Sequence, residues 1–320
     1  MNESPTVAVL MGGPSQEHDI SLKSGHGVAD ALAKCPWRVE PVVIPRDITI
    51  ENACEIARHA LRHMHADVAF IALHGTFGED GTIQQLCEEL HISYTGSDPT
   101  ASRLGMDKAA SRTRFQHVGL SVPRWRLVDL HTRVAALPKQ LAYPVVVKPT
   151  HQGSSVGVSI VHHEQELPTA LALAGQYGSP VLVEEFVRGK EVTVGVLGDE
   201  PLPVIEIRPH QQFFDFTAKY TAGQTEYLVP APLPAEVTRR IQETGLAAHR
   251  ALRCRHLSRT DIMLSEQGVP VVLEVNTIPG FTPMSLLPKA AACVGVSYEQ
   301  LCEQLVLMAL HESPAMAKFP

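Results

Sequence analysis

Short apolar runs alternate with amphipathic stretches through the first hundred residues. Buried strands are expected at 6–11, 40–44 and 67–73, and helices at 20–33 and 51–65. Ser15, in the turn that precedes the first of these helices, is the expected N-cap. Because strands that alternate with helices are typical of a parallel sheet, the pattern predicts a small parallel α/β unit ending near Ser97.

The pattern changes after residue 97, where a basic helical stretch is followed by an irregular segment and several apolar runs. Strands are expected at 143–149, 154–161, 180–187, 191–198, 201–208, 260–264 and 271–276, with helices at 106–119, 164–175 and 235–253. The chain is therefore predicted to be an α/β protein with α+β character in its central and C-terminal parts. Its three predicted domains span residues 1–97, 98–185 and 186–320.

Composition narrows the class of ligand. The chain has 44% hydrophobic and 19% charged residues, which is typical of a globular protein. Its net charge of −7 argues against a nucleic acid or an anionic membrane as partner, because both require a basic surface. Small molecules are therefore the expected ligands.

Two further features indicate a cytoplasmic protein. The longest apolar run, "VAFIAL", is far shorter than the roughly 20 residues of a membrane helix, and the N-terminus lacks the pattern of a signal peptide. The six cysteines have no C-x-x-C spacing, so scattered reduced thiols are expected.

The segment "KPTHQGSSVGVS", from Lys148 to Ser159, has the composition of a phosphate-binding loop. It matches neither the P-loop, in which the lysine follows the glycines, nor the dinucleotide fingerprint that opens a helix. Taken alone, such a segment is more often a surface hairpin than a phosphate site.

A second candidate site lies in "RTDIMLSEQGVPVVLEVN". If Gln267 and Gly268 form a two-residue hairpin loop, Asp261 lies opposite Glu274. Asn276 and Arg259 then point to the same side. Two carboxylates and an amide oxygen suit Mg²⁺, whereas the alternative is a solvated face whose charges keep the hairpin soluble.

Seven segments in order carry a resemblance to a known family: "GGPSQEHDISLKSG", "ALHGTFGEDGTIQ", "YTGSDPTASRLGMDK", "VVKPTHQGSSVGVS", "VEEFVRGKEVTV", "FDFTAKYTAGQTEYLVPA" and "LEVNTIPGFTPMSL". Over nearly its whole length the chain resembles the ATP-grasp ligases, and among them the D-alanine:D-alanine ligases. The resemblance implies a three-domain ATP-grasp architecture, a cytoplasmic homodimer, and an ATP-dependent carbon–nitrogen ligase that makes a peptidoglycan precursor.

The implied reaction has two steps. The γ-phosphoryl group of ATP passes to the carboxylate of one D-alanine, and the amine of a second D-alanine then displaces phosphate from the resulting acyl phosphate. The Gly-Ser loop would close over the ATP phosphates. Two Mg²⁺ ions, or Mn²⁺ in their place, would neutralise charge during phosphoryl transfer.

The resemblance also assigns roles to individual residues. Implied nucleotide-binding residues are Lys108, Lys148, Ser154, Ser155, Glu184, Val187, Glu191 and Lys219, and implied metal ligands are Asp261, Glu274 and Asn276. Implied catalytic residues are Glu17, Ser154, Tyr220, Arg259 and Gly280, and implied substrate-binding residues are Glu17, His74, Arg259, Gly280 and Ser285. The pair Lys219-Tyr220 matches the family members that use an amine as acceptor rather than D-lactate.

Several alternatives remain open. The chain could use another acceptor, or could be a nucleotide-binding relative without turnover. The segments His151-Gln152 and Ser258 with Thr260 depart from the family pattern and leave lid dynamics and substrate affinity open. His59 and His63 could form a metal site, and the structural alternative is a solvated helix face. Glu79 and Asp80 could be catalytic acids, and the structural alternative is hydrogen bonding to the local backbone.

Overall fold

The computed structural model describes residues 4–131, 137, 140–209 and 225–311. The first sheet is parallel and has the strand order β2-β1-β3-β4. Its strands are Thr6–Gly12 (β1), Arg38–Ile44 (β2), Val68–Ile71 (β3) and Ser93–Tyr94 (β4). The helices that follow these strands are His18–Leu32 (α1), Ile50–His63 (α2) and Thr82–Glu89 (α3). The predicted parallel α/β unit is confirmed.

The expected N-cap role of Ser15 is wrong. Glu17 occupies the N-cap position of α1, and its side chain makes no capping hydrogen bond. The hydroxyl of Ser15 instead accepts a hydrogen bond from the backbone N–H of Glu17 at 3.1 Å and donates to the carbonyl of His74 at 2.6 Å. Ser15 therefore joins two loops at the carboxyl edge of the sheet.

The second sheet is antiparallel and has the order β5-β8-β6-β7. Its strands are Trp125–Val128 (β5), Val145–Pro149 (β6), Ser159–Val161 (β7) and Val181–Glu185 (β8). A 3-10 turn at Glu164–Glu166 leads into the helix Leu167–Gly175 (α6), which follows two short helices at Pro99–Met106 (α4) and Lys108–His117 (α5). Leu167, Ala170 and Leu171 of α6 pack on this sheet and cover its apolar face.

The third sheet is also antiparallel, with the order β12-β11-β9-β13-β14 and a short strand β10 beside β9. Its strands are Gly189–Leu197 (β9), Glu200–Pro201 (β10), Ile205–Pro209 (β11), Thr225–Leu228 (β12), Leu257–Ser265 (β13) and Pro270–Asn276 (β14). The helix Ala235–Ala251 (α7) covers one face. The mixed architecture agrees with the predicted fold class.

Apolar contacts cross the predicted domain boundaries. Phe115 of α5 is fully buried against α7 and β14, so this helix packs on the third sheet. The helix Leu286–Ala292 (α8) contacts β9 of the third sheet and the helix Tyr298–His311 (α9), and α9 packs on the first sheet. The division at residues 97 and 185 stays a prediction.

Two observations bear on the composition. The six cysteines are all free. Within the described ranges, no helix has both the length and the apolar character needed to cross a bilayer.

Candidate active site

The hairpin of β13 and β14 brings the predicted metal ligands together. Asp261 pairs with Glu274 and Arg259 with Asn276, as the sequence predicted. Both carboxylates therefore project from one face of the third sheet, at the edge next to the second sheet.

The prediction of a two-residue loop is wrong. A β-bulge further along the hairpin offsets the resulting change in register. Leu264 pairs with Pro270 instead of Val271, so the loop has three residues rather than two, with Gly268 at φ +74°. A β-bulge then leaves Leu273 as an extra residue on β14. It lies between Glu274, which pairs with Asp261, and Val272, which pairs with Ile262. The two deviations shift the register by one residue in opposite directions, which restores the predicted pair.

The two carboxylates are neutralised separately. Arg259 donates to both oxygens of Asp261 at 2.9 Å, and Asn276 donates to Oδ2 of Asp261 at 3.1 Å. Nζ of Lys108 lies 3.3 Å from Oε2 of Glu274. The cations offset the repulsion expected between like charges on neighbouring strands.

A buried cluster of three charges lies at the second sheet. Nζ of Lys148 is 2.8 Å from Oε1 of Glu184, and a guanidinium nitrogen of Arg112 is 2.5 Å from Oε2. Burial lowers the pKa of Lys148 to about 8, and the neighbouring carboxylate of Glu184 opposes this shift. The predicted phosphate-binding lysine is therefore held in place by a charged pair.

The Gly-Ser loop is attached to the N-terminus of α5. Nζ of Lys108 donates to the carbonyl of Gln152 at 2.6 Å, and the backbone N–H of Lys108 donates to the carbonyl of Thr150 at 3.1 Å. Gln152, where the sequence departs from the family pattern, thus contacts a predicted nucleotide-binding residue through its backbone.

A cleft of about 520 Å³ lies between the second and third sheets. This volume is in the usual range for small-molecule sites. Its walls include the predicted residues Lys108, Lys148, Ser155, Glu184, Val187, Glu191, Asp261 and Glu274. Phe186, Ile207, Met263 and Leu273 add apolar surface. The cleft combines an apolar part with lysines and carboxylates, which suits a nucleotide and its cations.

A smaller cleft of about 220 Å³ lies at the carboxyl edge of the first sheet. Its walls include Glu17 and Ser154, and the hydroxyl of Ser154 donates to Oε1 of Glu17. Ser154 and Ser155 have φ values of 49° and 58°, a left-handed conformation that is uncommon outside glycine. Gly75, at φ +70°, also lines the cleft, and a Cβ there would come within 2.7 Å of Glu17 Oε2. The loops that form this cleft are closely fitted around one carboxylate.

The remaining predicted residues lie near these clefts or outside the described residues. His74 is 3% exposed, and its ring contacts Ser24 and the carbonyl of Ile278. Gly280 and Ser285 lie in the loop after β14, where the hydroxyl of Ser285 accepts from the backbone N–H of Thr282 at 3.0 Å. Lys219 and Tyr220 lie outside the described residues.

Two polar residues of the site were not predicted. Arg112 is fully buried, and Ser24 is fully buried beside His74. Arg112 follows Lys108 by four residues on the same helix, so the i,i+4 spacing could have identified it. Ser24 left no such signal, because its partners come from distant parts of the chain.

The alternative sites have structural explanations. His59 and His63 stack at 5.9 Å on an exposed face of α2. Asp80 accepts hydrogen bonds from the backbone N–H groups of Phe77 and Thr82, which confirms the local backbone interpretation for this residue. Glu79 accepts from the N–H of Gly75, and burial raises the pKa of its carboxyl.

The polar residues on β13 are also satisfied structurally. The hydroxyl of Ser258 lies 2.7 Å from Nδ1 of His249, and the hydroxyl of Thr260 donates to the carbonyl of Gly245 at 3.3 Å. Both partners are on α7, so these departures from the family pattern bond the helix to the sheet.

Comparison with known proteins places these observations in one family. The model described as the D-ala D-ala ligase N-terminus matches residues 49–97, and that of the D-ala D-ala ligase C-terminus matches residues 115–307. The D-alanine–D-alanine ligase of Geobacter sulfurreducens is 45% identical over 304 residues, covering 95% of this chain and 93% of the relative. That of Syntrophotalea carbinolica is 44% identical over 301 residues, with 94% of each chain covered.

Solved structures give the same result. The D-alanine–D-alanine ligase of Bacillus anthracis, in complex with ATP, has a TM-score of 0.83 at 32% identity, covering 96% of this chain and 98% of that one. The VanG D-Ala:D-Ser ligase of Enterococcus faecalis has a TM-score of 0.81 at 30% identity, with 96% and 99% covered.

Proposed function

Because the chain belongs to the D-alanine–D-alanine ligase family, we propose that it joins two D-alanine molecules into D-alanyl-D-alanine for peptidoglycan precursor synthesis. One molecule of ATP is converted to ADP and phosphate in each turnover. The observation that carries the proposal is the pair Asp261 and Glu274, which lie opposite each other in a cleft that also contains Lys108 and Lys148.

The large cleft would hold ATP. Glu184 and Val187 would contact the adenine and Glu191 the ribose hydroxyls, because these residues line the cleft. Lys108 and Lys148 would contact the phosphates, since both lysines line the same cleft and are fixed by ion pairs. Ser154, Ser155 and the adjoining glycines would bring backbone N–H groups close to phosphate oxygens.

The acidic part of the cleft fits divalent cations. Asp261, Glu274 and Asn276 offer only oxygen ligands, and Mg²⁺ usually takes one or two carboxylates and completes its shell with water and phosphate oxygens. Among the described residues, no three His, Cys, Asp or Glu side chains form a cluster that could hold a metal, so substrate oxygens would have to contribute. Two Mg²⁺ or Mn²⁺ ions would neutralise charge on the transferred phosphoryl group.

The small cleft would hold the first D-alanine. Glu17 would bind its ammonium group, and Ser154 with Tyr220 would connect this carboxylate to the closed loop. Ser285 would bind the carboxylate of the second D-alanine. His74 lies behind the small cleft, close to the first substrate but with both ring nitrogens in contact with protein atoms.

The chain's own residues would act mainly by positioning and by charge. A carboxylate oxygen of the first D-alanine attacks the γ-phosphorus of ATP, ADP leaves, and Lys219 with Lys148 stabilises the transferred charge. The neutral amine of the second D-alanine then attacks the acyl carbon. Arg259 and the backbone N–H of Gly280 would stabilise the resulting oxyanion, and phosphate leaves with the electron pair of the broken bond and takes up the proton that the amine loses. Loops over both clefts would exclude water, which would otherwise hydrolyse the acyl phosphate.

We also propose that the enzyme acts in the cytoplasm as a homodimer. Sedimentation equilibrium of the purified protein would test the second part, with twice the mass of 34.8 kDa as the expected result.

The test of the reaction is phosphate release from Mg-ATP with D-alanine, L-alanine, D-lactate, D-serine or no amino acid, with products identified by mass. One phosphate per D-alanyl-D-alanine, with L-alanine inert, would support the proposal. Preference for D-serine or D-lactate would change the acceptor. Tight ATP binding with no phosphate release under any condition would instead indicate a nucleotide-binding relative without turnover.

A further inference from the structure

We propose that Ser24 and His74 are positioning residues that fix the segment Ile278–Phe281, and with it the backbone N–H of Gly280. This inference rests on the proposed function, in which that N–H faces the developing oxyanion. Under this proposal Ser24 and the buried ring of His74 affect catalysis through the position of the Gly280 N–H, and neither needs to contact the substrate.

The hydrogen bonds around His74 form a directed chain. Nδ1 of His74 lies 3.2 Å from the carbonyl of Ile278, which can only accept, so Nδ1 carries a proton. In the neutral ring, Nε2 then accepts from the hydroxyl of Ser24 at 3.0 Å. The oxygen of Ser24 in turn accepts from the backbone N–H of Phe281 at 3.3 Å. This series of hydrogen bonds therefore starts at the carbonyl of Ile278 and ends at the N–H of Phe281, and Gly280 lies between these two residues.

Burial shields these hydrogen bonds from water, and Oε1 of Glu79 lies 3.7 Å from the same Nδ1 of His74 as a second acceptor. Ser24 is 0% exposed and His74 is 3% exposed, so water does not replace either partner readily. A buried polar group that loses its partner pays its full desolvation penalty, which favours the bonded arrangement of the loop.

Apolar side chains hold the same segment from two directions. Ile278 packs in the core on the α2 and α3 side of the first sheet, whereas Phe281 packs on the α1 and α9 side. Tyr298 of α9 donates to the carbonyl of Phe281 at 2.7 Å. Both ends of the segment are therefore fixed to the first sheet, while the preceding strand β14 belongs to the third.

The arrangement matters because an oxyanion donor acts only when it is aligned with the position that the charge will occupy. The hydrogen bonds from α1 and from the loop after β3 supply that alignment. Without them the segment would still be anchored by its two apolar side chains, so the fold should survive while the peptide of Gly280 gains freedom.

Ser21 is a matched control. It lies one helical turn before Ser24 on α1, is also 0% exposed, and also makes two hydrogen bonds. Its hydroxyl accepts from the N–H of Gly12 and donates to the carbonyl of Ala72, both at 2.8 Å. Both partners belong to the first sheet or its edge, so the hydroxyl of Ser21 makes no hydrogen bond to the loop after β14.

The experiment compares Ser24→Ala with Ser21→Ala in the full-length enzyme. We expect Ser24→Ala to lower kcat about 10- to 100-fold with little change in the KM for ATP, since losing an oxyanion donor outright costs about 10²- to 10³-fold. Ser21→Ala should lower the melting temperature as much as Ser24→Ala does, since each loses one buried hydroxyl. Its kcat should stay within about twofold of the wild-type value. Equal kcat values in the two variants would overturn the proposal.

The single variant His74→Asn keeps the proposal testable if Ser24→Ala proves unstable, and a double-mutant cycle of the two changes gives a further test where both variants fold. Asparagine can retain a donor toward the carbonyl of Ile278 but not the acceptor for Ser24. If the two residues act as one unit, the double variant should be little slower than the slower single variant. Multiplicative losses would show independent roles and would contradict the proposal. An inactive wild-type enzyme would contradict the proposed function itself, so the two failures are distinguishable.

Discussion

The two clefts are built in different ways. The large cleft lies between sheets, and its charged side chains stand on strands or on α5 and pair with one another, as in Lys148 with Glu184 and Arg259 with Asp261. The small cleft is lined mainly by loops, in which Ser154 and Gly75 adopt left-handed backbone conformations around Glu17.

The difference shows how each cleft can respond to a ligand. Paired charges on strands are already in place, so a polyanion and its cations have only to exchange partners with existing ion pairs. Backbone in sparsely populated conformations persists where neighbouring contacts hold it, as the link between Ser154 and Glu17 does here. We therefore expect substitutions in the large cleft to act through charge, and those in the small cleft to act through loop placement.

The largest effect is expected from Glu274→Gln. The change keeps the shape of the side chain but removes one of the two opposed carboxylates, so the cation binding needed for phosphoryl transfer should be lost. We expect ATP-dependent ligation to fall by about 10²- to 10³-fold, the range seen when one preorganised electrostatic group is removed. Steady-state phosphate release at several Mg²⁺ concentrations measures the effect.

The control for this variant is Glu200→Gln on β10, an exposed carboxylate in the same sheet. Its activity should match that of the wild type. Retention of full activity by Glu274→Gln would break the comparison, because the charge pairing of the large cleft would then have no catalytic role.

The next largest effect is expected on stability, from Arg112→Met. This change leaves Glu184 buried with Lys148 as a cation partner and removes the guanidinium that also donates to the carbonyl of Leu273 at 3.2 Å. We expect the free energy of unfolding to fall by about 3 kcal/mol, the lower end of the range for breaking a buried ion pair. Urea denaturation would measure it.

Arg114→Met on the same helix is the matched control, since Arg114 is exposed. A surface substitution of this kind should change stability by less than about 0.5 kcal/mol. Equal stability of the two variants would mean that the buried guanidinium adds nothing, and the large cleft would not depend on paired charges.

Sequence reasoning predicted the position of one strand pair correctly from a partly wrong premise. The pairing of Asp261 with Glu274 was predicted correctly, although the two-residue loop assumed for it is absent. The bulge at Leu273 that restores the register has no signature in the sequence. Period-two alternation fixes which face a side chain occupies, whereas loop length and bulges depend on how the whole sheet twists.

The ion pairs of the large cleft could not be predicted in the same way. Lys148 meets Glu184 because β6 and β8 are neighbours in the second sheet, and that strand order is a property of the tertiary fold. The hydrogen bonds that join Ser24, His74 and the loop after β14 are still harder to predict, because their partners are separated by 50 to 257 residues. Helices α3, α4 and α8 have seven or eight residues and were missed because so short a run shows little periodicity, whereas α9 was missed although its buried residues Leu301, Leu305 and Ala309 follow helical spacing.

A smaller effect is expected in the small cleft, from Ser154→Ala and Ser154→Gly. Both remove the hydroxyl that donates to Glu17, and glycine also relieves the left-handed backbone at φ 49°. We expect the KM for the first D-alanine to rise about tenfold in both, as for the loss of one hydrogen bond to a charged group. The KM for ATP should change much less.

The difference between these two variants sharpens the comparison. If loop placement matters beyond the hydroxyl, the glycine variant should be more stable than the alanine variant but slower in turnover, because a relaxed loop closes less often in the correct position. Identical kinetics in both would indicate that the hydroxyl alone matters, and that the strained backbone of the small cleft has no function.

The smallest effect is expected from pH, through Lys148. Burial lowers the pKa of its ammonium group to about 8 in the free enzyme, so the group loses its charge as pH rises through that value. The value of kcat/KM for ATP, which reports on free-enzyme groups, should therefore halve near pH 8 and fall about tenfold per unit above it. In Lys148→Arg the guanidinium stays charged, so the alkaline fall should disappear even if the overall rate is lower.

Folding stability should respond to the same titration with the opposite sign. The unfolded chain keeps the proton of this lysine up to the ordinary pKa of 10.5, whereas the folded protein releases it near pH 8. Because the unfolded state binds more protons between these values, the contribution of Lys148 to stability rises with pH there. Measuring unfolding and kcat/KM from pH 7 to 10 in the wild type and in Lys148→Arg separates the two effects. A parallel loss of stability and activity, equal in both proteins, would attribute the alkaline fall to unfolding and remove Lys148 from its cause.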